Sequence, residues 1–330
     1  MPIHTADSFE GPWNYEGFVL PQCSEIQIPG NCDVWAPDVT LIGDTYYLYY
    51  GVSTISSQNS AIGLATSSSL DAGSWTDHGA IFQSKQGDPY NAIDPNLLIT
   101  DDNKHWLTFG SYFNGIYQVQ LPQGTDAVDM DDATISHLAA MKDTFVPYIE
   151  GAFLYQWGQF YYLFFSLGIC CGHNFLMPPP GQEYKIKVCR SGAPTGRFVD
   201  KDGVDCLNDN GGTEILGSHD NVYSPGGQGV YNVSDSGPLL YYHFADPRVG
   251  LANEQKVLGL NWLDFSSGWP VVTDSPSMTS DSTSTTSPPP SNGTSRPTTK
   301  PSTATKWSVD GAVLICLAVL SQIAVWALAG

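Results

Sequence analysis

The chain has 330 residues, with 13 basic side chains against 33 acidic ones and a formal net charge of -20. That excess argues against nucleic acid or an anionic membrane surface as a partner. Aromatic residues make up 12% of the chain and charged residues only 14%, which suits β-sheet packing and equally suits stacking on sugar faces. No CxxC…CxxC or HExxH pattern occurs, so the common zinc sites are excluded.

In chain order, the segment Ala6-Asp7-Ser8-Phe9-Glu10-Gly11-Pro12-Trp13 resembles Ser67-Ser68-Ser69-Leu70-Asp71-Ala72-Gly73-Ser74-Trp75. Between them, Trp35-Ala36-Pro37-Asp38 opens a pattern of short apolar run, turn and aromatic run (Tyr46 to Tyr50). The pattern recurs from Ala92-Ile93-Asp94-Pro95 to the run Trp106–Phe109, and from Tyr148-Ile149-Glu150-Gly151 to Phe160–Phe165. Asp38, Asp94 and Glu150 are each 56 residues apart. A fourth copy starts near Pro225-Gly226 without a carboxylate and reaches its aromatic run at Leu239–His243. A four-stranded unit recurring every ~40–50 residues or a little more marks propeller blades. Residues 1–274 are therefore expected to form an all-β, five-bladed β-propeller. Since the first segment matches the late part of a blade, the first blade is expected to be incomplete, its inner strand falling before Met1.

The first strand of each propeller blade lines the central channel, so one acidic residue per blade would converge on the axis. Glycosidic bonds are hydrolysed by such paired carboxyls, one protonating the leaving oxygen and one acting from the opposite side. Glu150, between Ile149 and Gly151-Ala152-Phe153, has apolar neighbours that raise a carboxyl pKa and keep it protonated, and is the candidate acid. Asp94 is the neighbouring charge that raises this pKa further and orients the donor. Asp38, beside a proline, reads equally as a strand-entry residue. His243 is expected on a channel-facing strand, as a buried hydrogen-bonded ring or as ligand to a central cation. Cys170-Cys171 reads as a redox pair, a vicinal disulfide or a site with one structural cysteine.

In combination, several motifs resemble the fungal arabinan endo-1,5-α-L-arabinosidases of glycoside hydrolase family 43. They are Trp35-Ala36-Pro37-Asp38, Tyr90-Asn91-Ala92-Ile93-Asp94-Pro95-Asn96, Phe109-Gly110-Ser111, Ile149-Glu150-Gly151-Ala152, Cys170-Cys171-Gly172, Ser224-Pro225-Gly226-Gly227-Gln228-Gly229 and Tyr241-Tyr242-His243. The resemblance covers residues 3–274. It implies a five-bladed propeller that cuts linear α-1,5-arabinan internally with inversion, as a monomer and with no cofactor in the chemistry. It also implies Glu150 as proton donor and Asp94 as the aspartate that tunes it. Asn91 and Ser111 fall where the family contacts arabinose, and Trp35 where it builds the sugar pocket. Asp38 and Cys171 are counted with these substrate-binding residues. His243 matches the histidine associated with a channel metal, commonly calcium.

One part of the pattern is absent. The family's general base is an aspartate in a His-Asp-Pro motif on the first inner strand, and this chain has no such motif. The chain is therefore expected to be a weak or dead catalyst. A carbohydrate-binding propeller without catalysis, and an exo-acting arabinofuranosidase or xylosidase on the same scaffold, are the alternatives.

Six of the seven cysteines lie in residues 1–274, beside the sequon Asn232-Val233-Ser234, and a second sequon is Asn292-Gly293-Thr294. Cys23 with Cys32 and Cys189 with Cys206 are plausible local pairs, in keeping with a secreted setting. Residues 275–306 are rich in Ser, Thr and Pro and read as a stalk. Residues 307–330 end in Gly311–Gly330, which carries no charge. This fits a lipid-anchor (GPI) signal better than a membrane helix, which implies a cell-surface protein that meets the membrane only through this anchor.

Overall fold

The aromatic runs are the second strands of four antiparallel sheets. The computed structural model describes residues 1–276 apart from 123–127, 131–132 and 145. A two-stranded sheet comes first, β1 (Pro2–Thr5) with β2 (Asn14–Phe18). The first four-stranded sheet is β3 (Val34–Ile42), β4 (Thr45–Val52), β5 (Ser60–Ser67) and β6 (Thr76–Ser84). The second is β7 (Asn96–Ile99), β8 (His105–Ser111), β9 (Gly115–Leu121) and β10 (Ile135–Ala139). The third is β11 (Ile149–Trp157), β12 (Phe160–Leu167), β13 (Lys185–Ser191) and β14 (Thr213–Leu216). The fourth is β15 (Tyr223–Val233), β16 (Gly237–Ala245), β17 (Val257–Asp264) and β18 (Val271–Thr273). Each is a meander in which sequence neighbours pair, the arrangement of propeller blades. The expected stalk and apolar tail lie outside the described residues, save for the first positions after Asp274.

The second and third strands are covered on both faces, which is why β4, β8 and β12 read as nearly continuous apolar runs rather than alternations. The cores lie between successive sheets. Tyr49, Ile62 and Leu64 of the first meet Leu97, Leu107 and Phe109 of the second. Ile116 and Leu138 of the second meet Leu154 and Leu163 of the third. Phe164, Ile186 and Val188 of the third meet Val230, Leu240 and Leu263 of the fourth. Ile3 of β1 and Val19, just after β2, pack with Leu48, Tyr50 and Ala65 of the first. At the opposite side, Phe9 from the β1–β2 loop meets Trp262 of β17 edge-on at 6.5 Å.

Each inner strand is interrupted at the same point. The pairing register shifts between Trp35 and Asp38, between Glu150 and Phe153, and between Gly226 and Gly229. In the second sheet, Ile93 accepts the Gly110 amide just ahead of β7. A residue of positive φ sits at the same place every time: Ala36 (41°), Asp94 (55°), Gly151 (58°) and Gly227 (60°). Trp35, Ile93, Glu150 and Gly226 are thus equivalent, and so are Asp38, Asn96, Phe153 and Gly229.

This corrects the register read from the sequence. The three acids share a numerical spacing but not a structural position. Glu150 precedes the positive-φ residue, Asp94 occupies it, and Asp38 lies two positions beyond. His243 also needs correction: it stands on β16, the second strand, opposite Gly226. Its ring fits inward because Gly227 has no side chain there; an added Cβ would lie 2.6 Å from His243 Nε2.

Disulfides join Cys23 to Cys32, Cys170 to Cys171 and Cys189 to Cys206. The local pairs read from the sequence are formed, and the adjacent cysteines are joined to each other.

Candidate active site

The inner strands are stitched by side chains that cap the neighbouring strand's backbone. Asp38 Oδ2 accepts the Leu97 amide at 2.8 Å and the Asn96 side-chain amide at 3.3 Å. One blade on, Asn96 Oδ1 accepts the Leu154 amide at 2.7 Å. Asp38 and Asn96 therefore do the same work in successive blades. Asp38 is only 8% exposed, and burial pushes its carboxyl up to about 6 against these hydrogen bonds. The structure thus places the Asp38 carboxylate between strands, its oxygen committed to backbone, rather than among groups open to a sugar.

Asp94 and Glu150 are brought together. Asp94 Oδ2 accepts the Gly151 amide at 3.0 Å, one residue after Glu150. Gly151 is fixed on its other side too, its carbonyl accepting Gln228 Nε2 at 2.6 Å. Ser166, opposite Glu150 across β11 and β12, donates to Gln228 Oε1 and accepts the Gly227 amide. Tyr184, just before β13, donates its hydroxyl to Glu150 Oε1 at 3.0 Å. An acid on an inner strand is in this way held by groups from three blades.

Both carboxyls keep partial solvent contact, yet burial dominates their titration. Burial, then the negative charge of Glu150, raises Asp94 to about 7, opposed by the Gly151 hydrogen bond. Burial likewise raises Glu150, opposed by the Tyr184 hydrogen bond and the positive charge of Lys256. Two carboxyls that repel each other at close quarters hold a proton near neutral pH, which is the condition for a general acid.

The remaining candidates stand on strands and loops of several blades. Trp35 occupies in its blade the position Glu150 occupies in its own, so both side chains leave equivalent points of the inner strands. Asn91 and Ser111 are buried and joined by a 3.1 Å hydrogen bond, with Ser84 also bonded to Asn91. Cys171 lies in the turn after β12, where the Cys170 carbonyl accepts Lys256 Nζ. His243 stacks on Tyr184 with ring centroids 6.1 Å apart, and its buried Nδ1 has no hydrogen-bond partner. Burial holds that ring neutral, well below the ordinary histidine range. No group of three or more His, Cys, Asp or Glu able to hold a metal occurs among the described residues. The unpartnered Nδ1 would supply a single ligand to a channel ion, and calcium, which prefers oxygen, would have to take its remaining ligands from elsewhere.

Tyr184, Gln228, Ser166 and Lys256 were not among the sequence-derived candidates. Gln228 sits inside the motif Ser224-Pro225-Gly226-Gly227-Gln228-Gly229, whose pattern is dominated by its glycines. Tyr184 and Lys256 come from outer loops and carry no local pattern; only the fold brings them to Glu150.

A buried carboxyl pair supported from several blades of an all-β propeller is the arrangement by which glycoside hydrolases cut glycosidic bonds. The model of the Glycosyl hydrolases family 43 matches residues 1–270, and the chain belongs to that family. It is 52% identical over 269 residues to a protein of Aspergillus fumigatus described as a probable arabinan endo-1,5-α-L-arabinosidase A, covering 81% of this chain and 82% of the relative. The structure of Cellvibrio cellulosa α-L-arabinanase superposes with a TM-score of 0.70 at 26% identity, covering 79% of this chain and 84% of that one. The same enzyme is also known in complex with arabinohexaose. An exo-1,5-α-L-arabinanase from a bovine ruminal metagenomic library superposes with a TM-score of 0.70 at 29% identity, covering 82% of this chain and 91% of that one.

Proposed function

We propose that the chain is an arabinan endo-1,5-α-L-arabinosidase that hydrolyses linear α-1,5-arabinan with inversion. The observation that carries this reading is the Asp94–Glu150 pair, with Glu150 hydrogen-bonded by Tyr184 and its strand fixed by Asp94. Glu150, kept protonated by burial, delivers its proton to the oxygen of the departing arabinose unit. Asp94 positions the donor and raises its pKa. The half-buried aromatic Trp35 faces the sugar, Cys171 lines the substrate path, and the buried, mutually bonded Asn91 and Ser111 support that path from beneath. His243 gives one nitrogen to a channel cation, which is structural; two carboxyls and a water suffice for the chemistry.

The fold we propose is a five-bladed propeller whose first blade is represented by β1 and β2. That sheet packs on the first four-stranded sheet and touches the last through Phe9 and Trp262. The loops after β1 and after β5 have similar sequences, and each carries a glycine at φ 82°, Gly11 and Gly73. These matches support β1 and β2 as the two outer strands of a blade. We assign the general base to an inner-strand position of that blade, ~6.5–9.5 Å from the acid as inversion requires. We further propose secretion, attachment to the cell surface through a lipid anchor signalled by the apolar tail, and action as a monomer.

Digestion of linear α-1,5-arabinan with sizing of early products tests the reading. A ladder of oligosaccharides is expected, whereas a single short product from the outset would assign exo action. Tight binding of arabino-oligosaccharides with no cleavage under any condition would make the chain a binding propeller.

A further inference from the structure

The turn between β7 and β8 and the start of β12 border a surface cavity of about 270 Å³, lined by Thr100, Asp101, Asp102, Trp106, Tyr161 and Pro194. It straddles the second and third four-stranded sheets. Tyr161 pairs with Gln156 across β11 and β12, six residues beyond Glu150. The cavity therefore lies about 20 Å from the proton donor, at the other end of the inner strands.

Two of its walls are rings, the half-buried indole of Trp106 and the half-buried phenol of Tyr161. Its polar edge is set in advance by the turn itself. Thr100, only 6% exposed, donates its hydroxyl to Asp102 Oδ1 at 2.6 Å and its amide to the Lys104 carbonyl at 3.0 Å. Lys104 Nζ pairs with Asp102 Oδ2 at 2.6 Å. Burial, and then the charges of Asp101 and Asp102, raise the Tyr161 hydroxyl above its ordinary range, so it stays a proton donor beside two carboxylates. Flat apolar rings next to fixed donors and acceptors suit a neutral sugar, which presents C–H groups on its faces and hydroxyls at its edge. An anion would be repelled by Asp101, and a cationic peptide would find Asp102 already paired with Lys104.

We propose that this cavity is a second, non-catalytic binding site that seats a short stretch of the arabinan chain away from the channel. This rests on the reading of arabinan as the substrate. A polymer held at one face raises its own effective concentration at the other, so the site would act on long chains and not on short oligosaccharides.

Affinity electrophoresis of the full chain through gels containing linear α-1,5-arabinan tests the site, with thermal melting alongside. Trp106→Ala removes the indole. Asp101→Ala, on an exposed turn, removes an acceptor without disturbing the core, and decides the matter should Trp106→Ala fail to melt cooperatively. The apparent Kd for arabinan is expected to rise roughly 5-fold or more in Trp106→Ala and about 2- to 3-fold in Asp101→Ala. Parent retention that neither variant weakens overturns the site and leaves the arabinan reading in place, whereas no retention of the parent overturns both. Because arabinan carries no charge, retention is expected to survive high salt; its loss there would assign the contact to charge and overturn a neutral-sugar site. Stronger retention by xylan than by arabinan would overturn arabinan as the ligand.

Discussion

The backbone amide of Gly151 donates a 3.0 Å hydrogen bond to Asp94 Oδ2, so the carboxylate that repels Glu150 also holds the strand on which Glu150 sits. Positioning and electrostatics are joined in one side chain, and substitutions at Asp94 separate them. Asparagine keeps an acceptor for the amide but removes the charge. Asp94→Asn is therefore expected to lower the Glu150 pKa and move the basic limb of the kcat/KM profile to lower pH, with a loss of about 10²-fold. Asp94→Ala, which also frees the amide, should lose more. A basic limb that stays in place in Asp94→Asn would separate Asp94 from the donor's titration.

Gly226 marks the closest approach of the inner strand of the fourth blade to Tyr184. A Cβ there would lie 2.1 Å from the Tyr184 ring, so Gly226→Ala must displace the tyrosine that holds Glu150. The expected cost is about 1–3 kcal/mol of stability, read as a lower melting temperature, together with loss of activity. Tyr184→Phe, which removes only the hydroxyl, should keep most of the stability and lose activity alone. Equal melting of Gly226→Ala and the parent would show that the ring can move aside without cost.

Asp38 gives a stability test with a definite sign. Its carboxyl titrates at about 6 in the folded chain, above the ordinary value of about 3.9 in the unfolded one. The neutral form is favoured by folding, so this contribution is fully present below about pH 4 and is lost as pH rises through about 6. The equivalent position in the next blade is Asn96, whose oxygen accepts a backbone amide in the same way. Asp38→Asn should therefore preserve the strand cap and remove the titration. Its melting temperature relative to the parent should rise between pH 4 and 7, corresponding to up to about 2–3 kcal/mol. A difference independent of pH would show that the carboxyl does not titrate in this range.

The blade repeat was legible in the sequence because the second strands, buried on both faces, are written as aromatic runs such as Tyr46–Tyr50 and Phe160–Phe165. The acid pair was legible for a different reason, the motifs around Asp94 and Glu150. Its exact register was not. A 56-residue spacing places Asp38 with Asp94, but the bulge at Ala36, Asp94, Gly151 and Gly227 sets the structural frame, and a backbone conformation leaves little mark on composition when only two of four positions are glycine. The inward placement of His243 from a second strand is not legible locally, because the space that admits its ring belongs to Gly227, sixteen residues earlier. Tyr184 and Lys256 reach Glu150 from loops whose paths no local pattern encodes.

The most direct measurement compares the full chain with Glu150→Gln on linear α-1,5-arabinan, each with and without added azide. Azide attacks the anomeric carbon without needing a proton removed, so it replaces base-activated water while the acid still protonates the leaving oxygen. Cleavage by the parent chain is expected to be slow in buffer and faster with azide, with formation of an arabinosyl azide. Glu150→Gln is expected to lose at least about 10²-fold under both conditions. Cleavage by Glu150→Gln at the parent rate would contradict the assignment of Glu150 as the proton donor.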